Sequence, residues 1–264
     1  MKYITLFETA EAYNAATLDL PNVSLIEENM SVSFNPYVPE IRLVCKYNVT
    51  DTSSPTKLIS GYEQNIFTSM EIDDVMLDKL VTEYTFDTTG VHTVKYELYD
   101  ETKLGNSAPV FHNNNLVECI IPNSVISIGD NAFTNCRNLA SINIPSGITS
   151  IGQYAFSQCI SLTSCIIGSG VTSIGNYAFI SCSNLTSVVI PDSVTSIGNG
   201  AFAYCCLTSI ISNAMIAPTI GSNTFQDINT GGTLTVPIGS SGYDVWMGTG
   251  DYYLGKYNWT KVEQ

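Results

Sequence analysis

The stretch SIGQYAFSQCISLTSCIIGSGVT, residues 150–172, decides the fold, because the chain repeats it at a fixed interval. Its Ile151-Gly152 pair recurs as Ile128-Gly129, Ile174-Gly175, Ile197-Gly198 and Ile220-Gly221, each pair 23 residues from the next. A fixed period of that length marks a solenoid, in which one short unit stacks on copies of itself. Within the unit the apolar slots are Ile151, Ala155, Phe156, Cys159, Leu162, Ile167 and Val171. One period earlier they read Ile128, Ala132, Phe133, Cys136, Leu139, Ile144 and Ile148; one later, Ile174, Ala178, Phe179, Cys182, Leu185, Ile190 and Val194. Stacked rungs need such constancy, since each residue packs mainly on its own copies above and below.

LxSIxIP, from Leu139 to Pro145, alternates as a short strand and stops at proline, which cannot donate to a ladder. VTSIG supplies a second extended segment on the opposite side. Between them, the spacing of Ala, Phe and Cys in NYAFxxC predicts a helical turn or two, and the glycine of Ile-Gly is expected to permit a corner. Cys136, Cys159, Cys182 and Cys205 share one slot, so their side chains point the same way about 4.8 Å apart. A disulfide wants facing side chains with Cβ atoms about 3.8 Å apart. These cysteines are therefore expected as free, buried thiols.

The array decays at both ends. Upstream, Leu116 lies one period before Leu139, with Val110 assigned to the phenylalanine slot, Asn113 to the cysteine slot and Pro109 as an insertion. Downstream, Cys205-Cys206-Leu207 drops one residue and Thr224-Phe225 replaces Ala-Phe. Atypical end units keep a solenoid from exposing apolar core and strand edges. Beyond Gly231-Gly232 the chain turns aromatic, with Tyr243, Trp246, Tyr252, Tyr253, Tyr257 and Trp259. Two readings fit this tail: a cap over the last rung, or an aromatic platform for a sugar ring built from Tyr243, Trp246, Tyr252, Tyr253 and Trp259.

The first hundred residues carry no repeat. LFETAEAYNAATLDLP reads as a short strand and a helix ending before Pro21, and VSLIEENMSVSFNP as a hairpin about Glu28-Asn29. From Glu40 to Asp100, alternating stretches at intervals of about ten residues suggest a small antiparallel sandwich of immunoglobulin type. The division expected is 1–38 for an N-terminal module, 39–103 for the sandwich, 104–226 for the solenoid and 227–264 for the aromatic cap, with the junction near Thr102–Asn106.

The motif IGxxAFxxCxxLxSIxIPxSVTS, taken from residues 128–196, resembles the BspA-like class of bacterial leucine-rich repeats, and the tail LTVPIGSSGYDVW…YNWTKVE resembles the C-terminal cap common in that class. Gly168 in place of proline and the shortened Cys205-Cys206 unit depart from the pattern and leave local register open. Residues 1–38 look like a leader module of Bacteroides-group proteins from phage and prophage structural regions. With the sandwich expected from the alternation of residues 40–100, the BspA-like resemblance gives a mainly β fold, a leucine-rich-repeat solenoid preceded by a small immunoglobulin-like antiparallel β domain. The resemblances also imply a non-enzymatic protein: a phage virion component of fibre or decoration type, or a secreted cell-surface adhesin of the BspA type.

Charge narrows the partners. Of 264 residues only 13% are charged, against about 25% in an ordinary soluble domain. Residues 1–118 hold 18 acids and seven bases, whereas residues 119–226 hold only Asp130, Arg137 and Asp192. An acidic chain of net charge −14 without a basic patch disfavours nucleic acid and anionic membrane as partners. The N-terminal stretch has no apolar core of a secretory signal, and no apolar run approaches the roughly 20 residues of a membrane-spanning helix. The location expected is a virion surface, or a bacterial cell surface if a signal has been removed.

No HExxH, GxSxG, P-loop or GxGxxG occurs, and His92 and His112 are the only histidines. No catalytic residue, metal ligand or cofactor is expected. Asp73, Asp74 and Asp78 form the densest acidic cluster, but DDVMLDK lacks the alternating ligands and glycine of a calcium loop. The row of LxSIxIP strands should form a parallel sheet whose outward side reads Ala140 and Asn143, Thr163 and Ile166, Thr186 and Val189. Asn143, Thr163, Ile166, Thr186 and Val189 are the candidate binding residues. A protein or surface glycan is the expected partner there, and a homo-oligomer contact is the competing use of the same apolar face.

Overall fold

The computed structural model describes residues 42–59, 66–98, 103–105, 110–111 and 115–264. The N-terminal strands are β1 (Arg42–Val49), β2 (Thr56–Lys57), β3 (Phe67–Ile72), β4 (Val75–Met76), β5 (Glu83–Tyr84) and β6 (Gly90–Leu98). The solenoid then alternates back and front strands: β7 (Lys103–Leu104), β8 (Leu116–Ile120), β9 (Ser127–Ile128), β10 (Ser141–Asn143), β11 (Ser150–Ile151), β12 (Ser164–Ile166), β13 (Ser173–Ile174) and β14 (Ser187–Ile190). β15 (Ser196–Ile197), β16 (Ser209–Ser212), β17 (Thr219–Ile220), β18 (Thr233–Val236) and β19 (Thr260–Glu263) complete it. The back strands pair in the order β17-β15-β13-β11-β9-β7, and the front strands lie in an 11-stranded sheet ordered β19-β18-β16-β14-β12-β10-β8-β1-β6-β3-β4. The sequence-expected module at 1–38 and the Asn113 and Pro109 slots lie outside the described residues.

Register follows the period. Ser141 pairs with Ser164, and Ser150 with Ser173. The residue lost at Cys205-Cys206-Leu207 shortens the front offset, so Ser187 pairs with Ser209, yet Ser196 pairs with Thr219 at the full 23. The segment between β16 and β17 therefore restores the phase within the same rung.

Between the sheets runs one column of rings. Phe111, Phe133, Phe156, Phe179, Phe202 and Phe225 stack face to face at centroid distances from 5.1 to 6.3 Å. Trp246 closes the column 5.4 Å from Phe225, and Tyr96 meets Phe111 at 5.9 Å at the other end. Phe111, not Val110, fills the phenylalanine slot of the first unit. Each buried thiol locks this column: Cys136, Cys159, Cys182 and Cys205 donate to the carbonyl oxygens of Phe111, Phe133, Phe156 and Phe179 at 3.1–3.2 Å.

The NYAFxxC run is a series of turns, and among the described residues the chain forms no α-helix. Alternate amides there leave the rung: Tyr154, Phe156 and Gln158 donate to Asn176, Ala178 and Ile180 of the next one. The amides between them, of Ala155, Ser157 and Cys159, make three-residue turn bonds to Gly152, Tyr154 and Phe156. Two left-handed residues per rung, such as Tyr154 (φ 55°) and Gln158 (φ 59°), make that alternation. A helix would send every amide back along its own rung and leave the neighbours unpaired.

The Ile-Gly glycines serve close approach. A Cβ on Gly175 would lie 2.6 Å from the carbonyl carbon of Gly152, and one on Gly152 would lie 2.5 Å from that of Gly129. Their φ is ordinary, so the expected corner is not what selects glycine there.

The strands of residues 42–98 meet a different arrangement from a separate sandwich. β1 pairs antiparallel with β8, Val44 opposite Ile120 and Cys45 opposite Cys119, so the ladder crosses the expected junction near residues 102–106. β6, β3 and β4 continue the same sheet, and the short β2–β5 pair forms a separate two-stranded sheet. Alternation identifies these segments as strands, but it does not identify their partners. Phe67 and Tyr96 of this part, 4.8 Å apart, lie over the first ring of the solenoid column and close it.

Phe156 is fully buried between Phe133 and Phe179, each 5.1 Å away. Phe156→Ala should cost about 3–5 kcal/mol in a denaturant melt, as buried aromatic truncations do. A cost below about 1 kcal/mol would show that the column does not support the rungs.

Candidate functional site

The outward side of the front sheet is the most regular surface of the chain. Successive strands place Ile120, Asn143, Ile166, Val189, Ile211, Thr235 and Val262 as register partners, in one column across the sheet. Ile166 is 64% exposed, and Ile120, Val189, Ile211 and Val262 are exposed beside it. Thr163 and Thr186 lie three residues before Ile166 and Val189, immediately ahead of β12 and β14, and both are exposed. Thr163 Oγ1 donates to the Ala140 carbonyl at 3.2 Å, and Thr208 Oγ1 to that of Thr186 at 3.3 Å. Next to the apolar column, Ser141, Ser164, Ser187, Ser209 and Thr233 form a second, polar one.

Of the five candidate residues from the sequence, Asn143, Ile166 and Val189 are register partners in this column, and Thr163 and Thr186 are exposed just ahead of their strands. Ile120 and Ile211 belong to the same column. Ile120 could be read from the period, one repeat before Asn143. Ile211 is hidden by the deletion at Cys205-Cys206-Leu207, which moves it one residue out of phase.

From β10 to β18 no outward position of these two columns is ionisable. At the β8 end Glu118, the register partner of Ser141, pairs with Lys46 at 2.8 Å, while the Lys261–Glu263 pair of β19 at 3.3 Å shares register with the inward Leu234 and Val236. From β10 to β18 the two columns present hydroxyls, one amide and apolar side chains.

The aromatic tail is mostly core. Trp246 is fully buried and donates from Nε1 to the Pro218 carbonyl at 3.0 Å. Tyr243 is buried, its hydroxyl donating to Ser212 Oγ at 2.7 Å, and Trp259 is buried with Nε1 on the Asn229 carbonyl. Of the five tail residues only Tyr252 is exposed, at 40%, with Tyr253 half-buried. One exposed ring does not make a stacking platform, and the burial of the other rings accounts for them as a cap.

The acidic cluster is a hairpin turn. Asp73 and Asp74 carry φ of 46° and 66° between β3 and β4. Asp73 meets His92 Nδ1 at 2.6 Å and accepts from the Thr93 amide, and Asp74 meets Lys95 Nζ at 2.7 Å. The hydrogen bond and charge of Lys95 hold the Asp74 carboxyl below its ordinary pKa. Among the described residues no group of three or more His, Cys, Asp or Glu side chains is placed to hold a metal ion. No helix there is long and apolar enough to cross a membrane.

None of the eight cysteines forms a disulfide, and all but Cys206 are buried. Cys45 and Cys119 touch across the β1–β8 ladder at 3.4 Å. Burial pushes the thiols of Cys45, Cys159, Cys182 and Cys205 above their ordinary value, and that of Cys165 up to about 12.

Residues 102–230 match the BspA type leucine-rich repeat region in six copies, and the solenoid is an array of that type. Among solved structures, a leucine-rich repeat protein from Bacteroides capillosus is 25% identical over 42% of this chain and 75% of that one, with a TM-score of 0.32. One from Bacteroides ovatus is 23% identical over 55% of this chain and 47% of that one, at 0.36. A leucine rich cell surface protein from Faecalibacterium prausnitzii is 32% identical over 44% and 37%, at 0.30. No curated protein matches the chain.

Two measurements check the thiols. Under native conditions a thiol reagent should label Cys206 quickly and the other seven only on unfolding. Because the folded thiols resist ionisation, their contribution to stability is complete below the unfolded value of 9.0 and is lost as pH rises above it. The melting temperature should therefore be level from neutral pH to about 8.5 and fall beyond it. Rapid labelling of several thiols in the folded chain would contradict this burial.

Proposed function

We propose that the chain is a non-catalytic attachment protein whose solenoid makes contact through the outward side of its front sheet. The observation that carries this is the face itself: seven register-matched strands presenting an exposed apolar column beside a hydroxyl column, with no charge between its ends. Such a surface recognises shape and apolar or hydroxyl groups, so its partner is a protein or a neutral glycan. It has no Arg or aromatic anchor of the kind that dominates tight interfaces. Single contacts are therefore weak, and many copies on one particle or cell supply avidity.

The attachment reading fits a virion component of fibre or decoration type, anchored by residues 1–38. That placement rests on the likeness of those residues to a phage leader module. The same face would serve a bacterial surface adhesin, the placement that BspA-type repeats favour.

Beads carrying many copies of the full chain should be retained on an array of neutral polysaccharides and host surface proteins that barely retains the free chain. Ile166→Asp with Val189→Asp should abolish retention at unchanged melting temperature. Raising salt should leave retention intact, since no surface charges are being screened. Retention that survives the double substitution, or disappears in salt, would remove the sheet face from the function.

A further inference from the structure

We infer that the partner the sheet face fits is a second copy of this chain, packed face to face about a two-fold axis running along β14 through Val189. The inference rests on reading that face as the contact surface and goes further by naming what covers it.

The column Ile120, Asn143, Ile166, Val189, Ile211, Thr235 and Val262 is symmetric about its centre in chemical character. The axis sets Val189 on its own copy, Ile166 on Ile211, Asn143 on Thr235, and Ile120 on Val262. Every apolar side chain then meets an apolar one, and the two polar interruptions meet each other, where amide and hydroxyl can pair. The neighbouring column obeys the same operation: Ser187 meets itself, Ser164 meets Ser209, and Ser141 meets Thr233. An axis along the column instead would reverse strand direction, set each column residue on its own copy, and leave the hydroxyl row opposite Pro145, Gly168, Pro191, Asn213 and Pro237. Only the first operation sets both the apolar and the hydroxyl column on their own kind, the self-complementarity a closed two-fold dimer uses. It also keeps the facing strands aligned, as packed sheets prefer.

Charge points the same way. Copies of a chain of net charge −14 repel wherever their acids meet, and residues 1–118 alone carry 18 acids against seven bases. The outward columns from β10 to β18 have no ionisable group, so two copies can approach there without that cost. The patch is about 29 Å long and 10 Å wide, from strand and residue spacings. That is smaller than the roughly 800 Å² per partner of a stable interface, so the dimer forms with rising concentration or among copies held together.

Sedimentation of the full chain from dilute to concentrated solution should show a monomer–dimer equilibrium. Val189→Lys sets two ammonium groups together on the axis and should weaken association by more than about tenfold, while Val245→Lys, off this face, leaves it unchanged. Val189→Cys should link to its own copy in a glutathione redox buffer beyond the background of the parent chain. Ile120→Cys should link only when mixed with Val262→Cys. A chain that stays monomeric at every concentration overturns the inference. So does a dimer that tolerates Val189→Lys and fails to link through position 189. If the monomer is still captured by the polysaccharide and protein array in a face-dependent way, the attachment function stands and this partner for it does not.

Discussion

The constraint on which everything else depends is the rung-to-rung distance set by backbone hydrogen bonds. Front strands, back strands and the turn run all bond to neighbouring rungs, so each residue lies a fixed short step from its copy. Whatever occupies a column must tolerate itself at that spacing. Phenylalanine rings do so by lying parallel, at angles of 10° or less between Phe133 and Phe225. Thiols do so by donating to the carbonyl of the previous rung, and glycine is required where two backbones touch. Side-chain capping follows the same logic: Asn176 and Asn199 each accept from the amide one rung on, at 2.8 Å.

This explains how much the sequence could reveal. The columns are printed in it as a period, so the solenoid, its register and the inward set from Ile128 to Val194 are legible without coordinates. The turn run is not, because Ala, Phe and Cys at helical spacing look alike whether amides bond within a rung or between rungs. Only the left-handed positions distinguish the two, and Tyr154, Gln158 and Ser181 are not residues that announce a positive φ. The reason for the glycines is equally silent, since a corner and a close approach both select the same residue. The strands from Arg42 to Leu98 show the general limit: alternation gives a strand and its buried face, while the partner is set by long-range docking on β8.

The candidate face was half legible. Asn143, Ile166 and Val189 follow from the period, and Ile211 does not, because a compensated deletion moves it out of phase. The symmetry of the column about Val189 emerges only once Ile211, Thr235 and Val262 are placed beside the others. The aromatic tail shows the opposite case. Its composition suggests a surface platform, but closing a stack of rings requires a large ring, and Trp246 supplies it.

Because the ladder continues unbroken from β4 to β19, the described chain also has the mechanics of a single extensible element. A pull along the stacking direction loads the inter-rung bonds in series, so the weakest end rung yields before the rest. Each 23-residue unit released lengthens the tether by up to about 80 Å of extended chain, while the remaining rungs keep their packing. Flow or motion at a surface would then be absorbed in steps, as a shock absorber does, and the load on any one weak contact would be capped by the strength of one rung.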